Sequence, residues 1–227
     1  MTNADALPVA SGLKKDRADA LHDAIYAVAM TLLFLNLTVP HGVTSFADFL
    51  AQLRSELPEF YAGGLAFVVA GLMWLNNYYR SSLVVRVDLT HIALTIAAAG
   101  LVGLFPFTTR ALAEYWVTPW GITIWAWNYT VAVALYGLCA VHDVRHLIPK
   151  QVDRRFLRFT LAFLWIFAFT PGIIVPALAL VSPLAAVLLI PGFCVFNFVY
   201  IARLEPRFIE AHRVALAHAD DDLRRAS

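Results

Sequence analysis

Long apolar stretches separated by short charged segments set the periodicity of this chain. A membrane-spanning helix needs about 20 mostly apolar residues. Six stretches meet that length: roughly 20–39, 60–79, 89–109, 121–141, 156–178 and 183–202. The first belongs to a predicted helix over 17–37 that opens on Arg17, His22 and Asp23 before its apolar run begins. A seventh segment, 45–59, is short and amphipathic, with Phe46, Phe49, Leu50 and Leu53 set against Asp48, Arg54 and Glu56. It reads as an extension of the second span or a helix lying on the membrane surface.

Composition agrees with an integral membrane protein. Hydrophobic residues make up 60% of the chain and charged residues 15%, and the mean hydropathy is +0.69. The N-terminal dozen residues are small and mildly polar, and the first apolar stretch is too long and too polar at its start for a cleaved signal. The net charge of +1 gives no reason to expect a nucleic-acid partner. Cys139 and Cys194 both fall inside apolar stretches, which predicts reduced packing residues rather than a disulfide.

Charge placement predicts the orientation. All but Arg54 and Arg110 of the 17 lysines and arginines precede the first span, follow the last, or lie in the loops joining spans two to three and four to five. Cytoplasmic loops carry this excess, so both termini are expected in the cytoplasm. Trp116 and Trp120 then fall at the outer boundary, where interfacial aromatics belong. The expected organisation is a cytoplasmic tail (1–16), a six-helix membrane domain (17–204) and a second cytoplasmic tail (205–227).

Charged groups beside hydrocarbon usually face a bundle interior or a water path, which singles out the first helix. At 100° per residue Val28, Leu32 and Leu35 share a stripe flanked by Thr31. Copies of this helix around an axis would stack apolar rings with a hydroxyl layer, an arrangement that gates by dewetting. The same stripe would also serve as the ordinary contact face of a buried helix. Elsewhere, His142 and His146 lie four apart at the cytoplasmic end of span four, a spacing that can hold a metal. No third ligand is nearby, and an interfacial polar cluster is expected. His91 reads as a boundary residue within reach of Asp88 or Arg86. Asn128 and Asn197 are placed for interhelical hydrogen bonds. No phosphate loop, nucleophile elbow or suitable carboxylate pair suggests an enzyme, and no cofactor is expected.

The first helix resembles the transmembrane protein 175 family of potassium channels, in its bacterial form with a single six-helix unit. Arg17 stands at the family arginine, Leu21-His22-Asp23 at Phe-Ser-Asp, Thr31-Leu32-Leu33 at Thr-Leu-Leu and Val39-Pro40 at Val-Pro. Trp74 is similar to the family tryptophan of the second span, and Leu104-Phe105-Pro106-Phe107-Thr108-Thr109 to its Leu-Pro-Phe-x-Thr. The resemblance implies an all-α integral membrane homotetramer in the bacterial inner membrane that passively conducts potassium, with other monovalent cations or protons as further permeants. The first helix would line the pore: Val28, Leu32 and Leu35 as the constriction, Thr31 as the selectivity layer and Asn36 at the mouth. Arg17, His22, Asp23, Trp74 and Asn77 would form the structural or gating network. The chain departs from the pattern at Leu21-His22, at Asn36 where an acid is common, at Asn77 where histidine often follows the tryptophan, and at Thr95 near a usual asparagine. A neutral mouth would weaken cation attraction. A proton-coupled carrier using His22, Asp23 and Arg17, or a non-conducting assembly protein, are the alternative readings.

Overall fold

The computed structural model describes residues 15–35, 37 and 41–226, with side chains described as far as 218. The N-terminal tail, Asn36 and the Val39-Pro40 pair lie outside the described residues. Among those described there are eight helices and no strand: α1 (Lys15–Leu32), α2 (Phe46–Ser55), α3 (Leu57–Ser81), α4 (Leu89–Gly103), α5 (Phe105–Glu114), α6 (Pro119–His146), α7 (Arg154–Ala179) and α8 (Pro183–Ala226). Five segments are long and apolar enough to cross a membrane: Leu57–Ser81, Leu89–Glu114, Pro119–His146, Arg154–Ala179 and Pro183–His218. These contain the second to sixth expected spans.

The first expected span differs. The α-helix ends at Leu32 rather than near Leu37. Beyond it, Phe34 N–H donates to Thr31 O and Leu35 N–H to Leu32 O, each at 3.3 Å. These i→i+3 bonds wind the end of the helix more tightly. The short helix begins with Lys15, Asp16, Arg17, Asp19 and Asp23, and this charge keeps it below the hydropathy of the other five.

Local sequence explains the other boundaries. Ser45 caps α2 by accepting from Asp48 N–H at 3.1 Å, and Asp88 caps α4 by accepting from His91 N–H at 2.8 Å. Pro106 lacks an N–H and divides the third span at Leu104 into α4 and α5. Asn128 of α6 reaches that break, donating to Leu101 O at 3.2 Å and Thr108 Oγ1 at 3.3 Å. Interhelical bonding at mid-span is thus its role, as for Asn197, which accepts from Asn76 at 3.1 Å. Pro171 and Pro176 in α7, and Pro191 and Pro206 in α8, leave their helices continuous. Both cysteines are free and buried.

Helix α6 is the centre of the bundle, packing against α4, α5 and α7, while α1 lies on α3, α4 and α5. One apolar cluster runs from Tyr26 and Ala29 through Ala66, Phe105, Ile122 and Ala132 to Val187. A second, with Leu83, Val84, Val152, Phe156 and Ala211, lies where the basic loops meet. There Arg154 donates to Val144 O at 2.7 Å and His212 Nδ1 donates to Ser82 O at 2.6 Å. Helix α8 continues through Glu205 without interruption.

At the other end, α5 and α6 approach closely enough that a Cβ on Gly121 would lie 2.6 Å from Ala111 O and 2.9 Å from Tyr115 Cβ. The obstruction is backbone and cannot rotate away. Gly121→Ala should lower stability by roughly 1–3 kcal/mol, read as an earlier thermal unfolding of detergent-solubilised protein. An unchanged transition would show that the two helices separate freely.

Candidate functional site

Helix α1 has two opposite faces, both produced by its 3.6-residue period. His22, Tyr26, Ala29 and Leu33 point into the bundle and are nearly inaccessible. On the far side Val28 is 57% exposed, Leu32 39% and Leu35 75%, with Thr31 also exposed. The i→i+3 turns beyond Leu32 alter the register of this stripe. In such winding, side chains at i and i+3 tend to align, which favours a Leu35 closer to the line of Leu32 than an ideal α-helix gives. Phe34 turns away to meet Phe67, ring centroids 5.5 Å apart. The Thr31 hydroxyl bonds to its own helix, to Val28 O at 2.8 Å and Ala27 O at 3.0 Å. Its single proton is thus shared between those carbonyls, and the oxygen keeps its two acceptor lone pairs.

The buried face is held by hydrogen bonds. Tyr26 Oη donates to Tyr136 Oη at 3.1 Å, and Tyr136 Oη lies 2.8 Å from His22 Nε2. Asn77 Nδ2 is 3.2 Å from the same nitrogen. At the rim of the helix, Trp74 Nε1 donates to Asp23 Oδ1 at 2.7 Å, while Ser81 donates to Asp19 Oδ1 at 2.9 Å and Lys15 pairs with Asp19 at 2.7 Å. Of the five residues expected to form a network, His22, Asp23, Trp74 and Asn77 therefore join α1 to α3. Arg17 does not: it is exposed, forms no hydrogen bond or ion pair among the described residues, and leaves Asp23 to the tryptophan.

Asn77 leads to a charged centre that sequence reasoning missed. Its Oδ1 accepts from Arg80, whose other terminal nitrogen pairs with Asp143 of α6. The second Asp143 oxygen lies 2.7 Å from His91 Nδ1 of α4, and Asp143 is fully buried. His91 is accordingly a core residue rather than a boundary one. Three helices meet on one carboxylate. Near the surface, Asp88 Oδ2 bonds to His142 at 2.8 Å, and the His142 and His146 rings lie 4.9 Å apart, so this pair forms the expected polar cluster.

His91, Cys139 and Asp143 bring donor atoms within 4.8 Å of one another, a spacing a metal ion could use. Arg80 already neutralises Asp143 and lies 3.5 Å from Cys139 Sγ. A cation would have to displace that guanidinium, so the donor set fits an ion pair better than a metal. The cavity behind it, bordered by Asn77, Arg80, Tyr136 and Asn197, measures about 80 Å³, far below the ~300–1,000 Å³ of small-molecule sites.

Comparison with known proteins finds similarity to channels over part or most of the chain. Residues 17–106 match the family model described as endosomal/lysosomal potassium channel TMEM175. A potassium channel of Streptomyces collinus is 34% identical over 99 residues, 44% of this chain and 48% of that protein. One of Chamaesiphon minutus is 28% identical over 192 residues, 82% of this chain and 92% of the other. The matched region thus spans about half the length of the first relative and nearly all of the second. The crystal structure of a lysosomal potassium-selective channel TMEM175 homolog from Chamaesiphon minutus superposes with a TM-score of 0.70 at 23% identity, covering 82% of this chain and 97% of that one. The fold is shared.

Two variants test the charged groups of these helices. Asp143→Ala leaves Arg80 buried without its counter-charge and should cost roughly 3–5 kcal/mol. Arg80→Met with Asp143→Leu should recover most of it, and a double variant as unstable as the single would show that the ion pair is not the cause. Burial opposes ionisation of Asp88, but the His91 N–H and the His142 ring outweigh it and hold its carboxyl below the usual range. Its stabilisation is present above the ordinary carboxylate pKa of about 4 and is lost as pH falls through the lower folded value. Asp88→Ala should therefore cost about 1 kcal/mol at neutral pH and less in acid, measured by thermal unfolding across pH.

Proposed function

We propose that this chain, whose residues 17–106 match the TMEM175 potassium-channel family model, is a potassium channel of the bacterial cell membrane. Four copies surround a pore lined by α1, with both termini in the cytoplasm and α1 completing a set of six membrane helices. One observation carries the reading: α1 turns His22 and Tyr26 into its own subunit and leaves an apolar stripe, Val28, Leu32 and Leu35, uncovered.

On the four-fold axis Val28, Leu32 and Leu35 form successive apolar rings, and Leu32 and Leu35 make the narrowest apolar section. A constriction of this kind excludes hydrated ions and dries when narrow. Thr31 offers a hydroxyl oxygen beside the leucine rings, its proton held by the helix backbone, so a dehydrated cation meets an acceptor. Asn36, outside the described residues, is the mouth residue by the family resemblance; there it would supply dipoles but no net charge, which lowers local cation concentration relative to an acidic ring. His22, Asp23, Trp74 and Asn77 fix the helix from behind. Arg17, without a partner in its own subunit among the described residues, meets a neighbouring subunit. The small cavity near Arg80 gives no room for an organic cargo, which favours passive conduction over a carrier.

Leu32→Ala and Leu35→Ala should each widen the constriction and raise potassium flux in liposomes several-fold. Unchanged flux in intact oligomers would overturn the pore assignment. Single cysteines at positions 28, 32 and 35 should cross-link between subunits, whereas one at Leu188, which is exposed on α8, should not. Cross-linking confined to the α8 position would place the axis elsewhere.

A further inference from the structure

At the basic end of the bundle, the α3–α4 loop, the end of α6, the α6–α7 loop and α8 enclose an open cavity of about 410 Å³. This is within the ~300–1,000 Å³ typical of ligand sites. Four cations line it, Arg86, Arg145, Lys150 and Arg154, together with His146 and His218, and among the described residues no carboxylate lines it. Arg154 builds the wall, donating to Val144 O at 2.7 Å and Ile148 O at 3.3 Å. Gln151 spans to His218 at 3.2 Å, tying the loop to α8.

Arg86, Arg145 and Lys150 play no such structural part. Each is exposed and has no hydrogen bond or ion pair among the described residues. Three positive charges directed at one concavity repel each other, and a compact anion with several oxygens relieves that repulsion. Arginine favours such an anion further, because its planar fork matches phosphate oxygens.

We propose that this cavity binds a phosphate-bearing anion. On the orientation proposed above, with both termini cytoplasmic, it opens at the cytoplasmic membrane surface, where basic pockets between membrane helices take anionic lipid headgroups. A soluble phosphate compound presents the same chemistry. Arg145 and Lys150 supply the charge, Arg86 closes the opposite side, and Arg154 keeps the rim in shape. The site lies apart from the apolar face of α1, so binding is measurable without ion flux and succeeds or fails independently of the channel reading.

The full chain in phosphatidylcholine nanodiscs, with and without a minor fraction of cardiolipin, would be titrated in parallel with inorganic pyrophosphate. Saturable binding of one probe per chain is expected, weakened roughly tenfold or more by Arg145→Gln with Lys150→Gln and unchanged by Arg213→Gln elsewhere on α8. Retention of cardiolipin alone identifies a lipid headgroup, and binding of pyrophosphate alone a soluble phosphate compound. If the double variant unfolds, Arg86→Gln provides the same comparison. Absence of binding by both probes, or binding that the folded variants leave intact, overturns the proposal.

Discussion

The carboxylate of Asp143 is the constraint on which the bundle depends. It is buried in α6, paired with Arg80 of α3 and hydrogen-bonded to His91 of α4. Withdrawing such charges from water costs several kcal/mol per ion, and their attraction recovers that cost only with close geometry and satisfied hydrogen bonds. The pair therefore does little for net stability but strongly specifies arrangement. Sliding any of the three helices by one turn would leave a charge without its partner. Asn77, one turn before Arg80, carries this fixed register to His22 and so to α1.

This arrangement explains why α1 is polar at one end and bare at the other. Its first turns exchange hydrogen bonds with α3 and α6, while Val28, Thr31, Leu32 and Leu35 face away from the subunit. A helix held only by apolar packing would be free to rotate, because lipid tails and leucines attract it almost equally. Directional bonds on the inner face remove that freedom and fix which side chains face outward. The proposed pore lining is thus determined by residues that never touch an ion.

Much of this architecture was legible in the sequence, for definable reasons. The last five spans are long enough that hydropathy alone marks them, and an asparagine at mid-span, Asn128, signals an interhelical bond, whereas the break at Pro106 was not read from the sequence. Helical spacing put Val28, Leu32 and Leu35 on one stripe and the family motif grouped His22, Asp23, Trp74 and Asn77, but the exposure of the stripe and the bonds to α3 come from the packing. The register beyond Leu32 was not legible, because a change from i→i+4 to i→i+3 bonding leaves no mark in an apolar run. Arg80, His91 and Asp143 were missed for a different reason. Each lies within two turns of a span's basic end, where a lone charge reads as an interfacial anchor, and its partner is 52 or 63 residues away. One signal could have found them: an acid, a base and a histidine at matching depth in three consecutive spans balance one another.

Helix α8 has a mechanical consequence. At 44 residues and 1.5 Å per residue it extends roughly 66 Å, about twice the hydrocarbon thickness of a bilayer. Its outer half bonds through His212 to the carbonyl of Ser82, and the preceding residue, Ser81, holds Asp19 at the foot of α1. One peptide unit therefore separates the attachment of the stalk from the attachment of the first helix. A displacement of α8 at His212 would thus reach the base of α1 across a single peptide unit.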